Sequence, residues 1–183
     1  MKQAAENLQR LLNGNLKFLS SETNPGNISS AIRVQTAREG QHPFAIIISC
    51  SDSRVIPEAI FSCGIGELFT IRVAGNVLDK YQIGSVEYAA EHLDCPLVLI
   101  LGHTHCGAVG TTIAKVSSGY IRAITDAIRE AIGDETDDYK ACCLNVQHNV
   151  QILREAFHDH PALNELAVHG AVYDIETGLV EMV

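Results

Sequence analysis

Residues 43–55 read PFAIIISCSDSRV. An unbroken apolar, β-branched run stops at a thiol, and a carboxylate and a guanidinium follow within four residues. A short run that is apolar on both faces suits a central strand of a parallel sheet, covered by helices on either side. Open parallel sheets bind ligands outside the carboxyl ends of their strands. Cys50, Asp52 and Arg54 fall at such an end. A second stretch, PLVLILGHTHCGAVG at residues 96–110, repeats the pattern: a buried strand runs out into His103 and then Cys106.

Outward from these two strands, the chain alternates. ELFTIRV (67–73) reads as a strand and GSVEYAAEHL (84–93) as a helix. Helices follow over 106–116, 120–132 and 138–158, and LAVHGAVYD (166–174) is a further strand. The ETG turn then leads into LVEMV, which closes the chain as a hairpin. Upstream, Ala4, Leu8, Leu11, Leu12 and Leu16 recur at helical spacing within residues 2–19. SSETNPGNISS carries turn chemistry, and residues 29–39 form a more polar helix. Strands alternating with helices define an α/β fold with a central, mostly parallel β-sheet.

The 183 residues fit one domain, spanning 1–183, with residues 1–40 as an N-terminal helical arm. The net charge of −9 argues against a nucleic-acid partner, which would select Lys and Arg. No apolar run approaches the ~20 residues of a membrane span. The first residues lack the apolar core of a secretory signal, so the expected location is cytoplasmic. Six cysteines in a reducing compartment are better suited to metal ligation or burial than to a disulfide framework.

If the strands ending at Cys50 and His103 are neighbours, two thiols and one imidazole meet. Thiolates and imidazole are ligands that zinc prefers, and catalytic zinc sites keep a fourth position open. A helix beginning near Cys106 favours its thiolate form. His-x-x-Cys alone is a weak signal, strengthened by the strand-end Cys50. Asp52 can hydrogen-bond a metal-bound water or ligate the metal itself, and Arg54 can grip that carboxylate with two parallel N–H donors. Taken alone, Asp-Ser-Arg also fits a simple strand-end salt bridge.

With Cys50, Asp52, Ser53, Arg54, His103 and Cys106 in place, the sequence resembles a β-class carbonic anhydrase. The blocks PFAIIISCSDSRVIPE, GELFTIRVAGN, GSVEYAAEHL, LGHTHCGAV and VHGAVYDIETG carry the resemblance from about residue 27 to 177. It implies zinc-dependent, reversible hydration of carbon dioxide to bicarbonate, by attack of zinc-bound hydroxide. Cys50, His103 and Cys106 would be the metal ligands, and Asp52 and Arg54 the catalytic dyad. The implied fold has four parallel strands, one added antiparallel strand, and an N-terminal helix that embraces a partner subunit. A homodimer or dimer-based oligomer is therefore expected. By position, Gln41, Phe69, Val73, Ala74 and Tyr88 would bind substrate. Val73 replaces an asparagine common in the family, Ala74 is smaller than the usual valine, and Ala171 stands where an aromatic residue is common. Some members let the aspartate close the zinc site. His105 and Tyr88 are candidates for proton relay.

Two rival functions stay open on the sequence: a related hydrolase acting on a linear molecule such as carbon disulfide, and a non-enzymatic zinc or redox-sensing protein. Cys63, Cys95, Cys142 and Cys143 read as ordinary thiols, and His169 as a strand residue with a local hydrogen bond or a subunit contact.

Overall fold

The computed structural model describes residues 2–183. Five strands form one sheet: β1 (Ala45–Ser49), β2 (Leu68–Arg72), β3 (Leu97–His103), β4 (Ala167–Tyr173) and β5 (Val180–Met182). Their order is β2-β1-β3-β4-β5, with β1 to β4 parallel and β5 antiparallel to β4. The expected architecture of four parallel strands and a closing antiparallel one holds.

Every residue of β1 and β3 is buried, because helices cover both faces of the sheet. On one face Ala45, Ile47, Leu97, Leu99 and Leu101 pack with residues of α1 (Lys2–Ser20) and α3 (Pro57–Ile60). On the other, Ile46, Ile48, Val98 and Ile100 pack with α4 (Lys80–His92) and α7 (Asp138–Phe157). The remaining helices are α2 (Ser30–Glu39), α5 (Gly107–Ile113) and α6 (Arg122–Ile132).

The N-terminal helix docks onto its own sheet. Leu11 is fully buried, Asn15 Nδ2 donates to the carbonyl of Gly178 at 2.9 Å, and Asn15 Oδ1 accepts from Val180 N at 3.0 Å. Gly14 permits the approach, since a Cβ there would lie 2.0 Å from the Phe61 carbonyl oxygen. By contrast, α2 buries none of its residues within the chain.

Several boundaries differ from the sequence reading. Helix α4 begins four residues earlier than expected, because Asp79 and Gln82 form a capping box. Helix α5 is shorter at both ends than the expected 106–116: Cys106 is its N-cap, and Lys115, in the left-handed region at φ 57°, lies just past its end. Helix α6 starts at Arg122 after a 3-10 turn over Gly119–Ile121. The four-residue α3 was not anticipated; Pro57 at its first position pre-sets the helical φ.

The chain leaves β1 toward β2 on one side, then crosses to β3 on the other side of β1. The carboxyl ends of β1 and β3 therefore flank the point where the winding reverses, which is where open α/β sheets form ligand crevices.

Candidate metal centre

Strand β1 pairs with β3 up to Ser49↔Leu101, so Cys50 and His103 leave the sheet side by side. Cys106 joins them after a tight turn. All three residues are buried, and Cys50 Sγ, Cys106 Sγ and a His103 ring nitrogen lie within 4.8 Å of one another.

Local hydrogen bonds orient each donor. The Nδ1 of His103 is 2.9 Å from the Thr104 carbonyl, which fixes Nδ1 as the protonated nitrogen. Its Nε2 is buried with no hydrogen-bond partner, leaving a lone pair facing the two sulfurs. An orphaned imidazole nitrogen beside two buried thiols is costly in a folded protein unless a cation takes it up, and this donor set fits zinc. Cys50 Sγ receives N–H donors from Gly75 at 3.3 Å and Asp52 at 3.4 Å. Its thiol is drawn well below the usual range, first by the hydrogen bond from Cys106 and then by His103 and these amides, against the opposing effect of burial. The Cys106 thiol is pushed up correspondingly, chiefly by Cys50 and by burial. The amides of Ala108 and Val109, at the start of α5, counter that rise.

Asp52 and Arg54 stand at the rim. Arg54 Nε donates to Asp52 Oδ1 at 3.0 Å and Arg54 Nη2 to Oδ2 at 2.8 Å, a bidentate fork. The Arg54 backbone N–H adds a third bond to Oδ1, at 2.9 Å. Arg54, reinforced by His103, holds the Asp52 carboxyl well below the usual carboxylate range. Asp52 Oδ2 lies 4.0 Å from His103 Nε2, so the carboxylate borders the ligand cluster.

Three further residues hold the frame and were not singled out from the sequence. Arg72, at the end of β2, donates to the carbonyls of Cys50 at 3.1 Å and Asp52 at 2.7 Å. Its place near the carboxyl end of the expected strand ELFTIRV is the signal that could have found it; the structure sets it opposite Ser49. Asn145, buried on α7, donates to the Gly75 carbonyl at 2.8 Å and so steadies the amide that faces Cys50. Asp138 Oδ2 accepts from the His105 N–H at 2.8 Å.

The expected substrate-binding residues divide into two groups. Val73 packs with the cluster that contains Cys50 and Cys106. Ala74 lines a small hollow of about 220 Å³ with Gly107, Ala108 and Ile124. Gln41 and Tyr88 instead line a surface groove of about 900 Å³ with Arg33, His42 and His92. The Phe69 ring packs 6.2 Å from that of Tyr88. Phe69 pairs with Ile46 near the amino end of β1, about 10 Å below the strand ends. A single chain therefore does not bring Gln41, Phe69 and Tyr88 to the Cys50–His103–Cys106 cluster.

A parallel α/β sheet that gathers a thiol–imidazole–thiol triad at its winding reversal defines a narrow class of protein. Residues 45–180 match the family model described as carbonic anhydrase. The chain is 33% identical to the carbonic anhydrase of Mycolicibacterium smegmatis, over 94% of this chain and 89% of that protein. It is 35% identical to that of Pseudomonas aeruginosa, over 77% and 73%. Among solved structures, the Coccomyxa β-carbonic anhydrase in complex with acetazolamide superposes with a TM-score of 0.72 at 27% identity, covering 84% of this chain and 78% of that one. The β-carbonic anhydrase CafA of Aspergillus fumigatus gives a TM-score of 0.71, also at 27% identity, over 84% and 81%. The chain belongs to the β-carbonic anhydrase family.

Proposed function

We propose that the protein interconverts carbon dioxide and bicarbonate, with a zinc ion held by Cys50, His103 and Cys106. One observation carries this reading: the buried, unpartnered His103 Nε2 converges with two thiols beside a carboxylate that Arg54 keeps ionised. Zinc in such a site makes hydroxide available near neutral pH and so supplies the nucleophile. The chain's own residues orient it. Asp52, pinned as a carboxylate, accepts a hydrogen bond from the attacking oxygen and directs a lone pair toward the carbon of carbon dioxide. Because its proton affinity is so low, Asp52 acts as an acceptor and not as a proton store. The released proton must pass elsewhere. His105, whose ring is exposed and which lies within the loop between His103 and Cys106, is the nearer of the two relay candidates.

The two amide donors on Cys50 offset part of its thiolate charge. This supplies some of the compensation that a two-thiolate site needs to keep a water acidic. The hollow beside Ala74 and Gly107 is apolar and small, which suits carbon dioxide.

Gln41, Phe69 and Tyr88 fit the reaction if a second copy brings them over the ligand cluster. The unburied α2 and the exposed Tyr88 support a homodimer in which each open site is completed in trans. No described helix is long and apolar enough to cross a membrane. Five of the six cysteines are buried, two of them as proposed metal ligands, which is in keeping with a cytoplasmic location.

Stopped-flow measurement of carbon dioxide hydration by zinc-loaded protein, together with its Asp52→Asn variant, tests the reading. The variant is expected to keep its zinc and to lose activity by about a hundredfold or more. Wild-type zinc protein without hydration activity would refute the function; a fully active variant would remove Asp52 from the mechanism.

A further inference from the structure

We infer that Asp138, on the first turn of α7, is a positioning residue for the Asp52–Arg54 pair, acting through the backbone of His105. The inference rests on the carbonic anhydrase reading of the site. His105 sits between two of the proposed ligands, His103 and Cys106, and its φ of 55° places it in the left-handed region that non-glycine residues seldom adopt. Two contacts bracket that residue. Its N–H donates to Asp138 Oδ2 at 2.8 Å, and its carbonyl accepts from Arg54 Nη2 at 3.2 Å. The same Nη2 holds Asp52 Oδ2 at 2.8 Å. An unbroken path therefore runs from the Asp138 carboxylate, through the backbone of the single residue His105, to the guanidinium that aims Asp52.

Capping of α7 does not account for Asp138. Asp137 already fills that role, its Oδ1 accepting from Lys140 N at 2.9 Å. Asp138 is left free to reach across to the ligand loop, where its bond to the His105 amide is charge-assisted. Without this acceptor, nothing among the described contacts holds the His105 amide, and the left-handed turn can relax toward an ordinary conformation. Its carbonyl then turns from Arg54, and Asp52 loses part of its aim. Displacements on the order of 1 Å at a reacting group cost up to about a hundredfold in rate.

The test uses zinc-loaded, full-length protein in three forms: wild type, Asp138→Ala and Asp138→Asn. Asparagine keeps an oxygen acceptor but discards the charge. The alanine variant is expected to retain its zinc and to show a kcat about tenfold lower with KM within about twofold. The asparagine variant should recover most of that kcat. Both variants lose the charge at the helix start, and the alanine variant also loses the bond to the His105 amide, so its Tm should fall at least as far as that of the asparagine variant; the recovered kcat of the asparagine variant is what marks positioning. Amide hydrogen exchange of His105, followed by NMR, supplies a readout independent of turnover. Its amide should be protected in wild type and the asparagine variant and exchange at least about tenfold faster in the alanine variant. Three results would each overturn the inference: wild-type kcat in the alanine variant, equal losses in both variants, or a His105 amide that stays protected without Asp138. If the wild-type zinc protein lacks hydration activity, the functional reading fails, while the exchange measurement still decides whether Asp138 holds the ligand loop.

Discussion

Two regions of this molecule, the cluster of Cys50, His103 and Cys106 and the groove beside Gln41 and Tyr88, are built differently. Cys50 and His103 sit at the ends of neighbouring, fully buried strands and Cys106 at the start of α5, braced by Arg72, Gly75 and Asn145. Gln41 and Tyr88 line an open groove between the end of α2, the loop before β2 and the end of α4, and the Phe69 ring packs against that of Tyr88. The first region is preorganised within one chain, because strand pairing sets Cys50 beside His103 and the turn into α5 brings Cys106 to them. The second has no such frame. Gln41 and Tyr88 are exposed while Phe69 packs partly into the core, and under the proposal above a second copy carries them to the reaction. One chain thus brings the three candidate metal donors together but not the residues expected to bind substrate.

The largest expected effect comes from breaking the first region. Cys106→Ser should reduce bound zinc, measured by elemental analysis after dialysis, to a small fraction of one ion per chain. Hydration should fall by about a thousandfold or more. Retention of one tightly bound zinc would mean that Cys106 is not a ligand.

The second region is tested by mixing. Gln41→Ala and Cys106→Ser chains, each weak alone, should recover activity when refolded together if Gln41 acts in trans. A mixed dimer then contains one site with intact ligands and an intact Gln41. Recovery toward about a quarter of wild-type activity is expected for random pairing with one competent site per mixed dimer. No recovery, in mixtures shown by mass measurement to contain mixed dimers, would place Gln41 in the site of its own chain or outside the reaction.

A smaller effect probes the bracing of the ligands. Gly75 has φ 69°, and a Cβ there would lie 2.7 Å from Ile128 Cδ1 and 3.1 Å from the Ala108 Cβ. Gly75→Ala should cost about 1–3 kcal/mol in a denaturation experiment. By shifting the amide that faces Cys50, it should also weaken zinc retention about tenfold against a competing chelator. Unchanged zinc affinity would show that the N–H···S contact is not part of the bracing.

The smallest effect separates the site from the rest of the fold in its pH response. Arg54 depresses the Asp52 pKa, so the stability that Asp52 contributes is present above its unfolded value of 3.8 and is lost only as pH falls through the folded value. Burial lowers the His169 pKa from 6.5, so the folded state binds fewer protons there than the unfolded chain. Stability from His169 is therefore complete above that value and declines as pH falls below it. Between pH 7 and 5 the Asp52–Arg54 pair should contribute no change, and His169→Gln should flatten the decline in Tm by no more than about 3 °C. A profile unaltered by that substitution would exclude His169 as its source.

How much could be read in advance follows from the range of each interaction. Both ligand strands were legible because a run such as AIIIS or LVLILG has few alternatives, and the residues just past such runs must emerge at one edge of the sheet. The Asp52–Arg54 pair was legible because its partners are two residues apart. The start of α4 was missed because its capping box, Asp79 with Gln82, precedes the apolar spacing that marks the rest of the helix. Arg72, Asn145 and Asp138 were missed because each acts on backbone groups 20, 70 and 33 residues away.

Taken by itself, the amino-acid sequence determined the α/β class, the strand ends that carry Cys50 and His103, and the chemistry of the donors, all of which follow from local patterning and side-chain type. Only the tertiary structure decided that β1 and β3 are neighbours, that His103 Nε2 is left buried and unpartnered, and that Gln41, Phe69 and Tyr88 lie apart from the ligands. The reason is physical: hydrophobic periodicity specifies which face of an element is buried, but the order of strands and the surfaces left uncovered depend on how all the elements pack together.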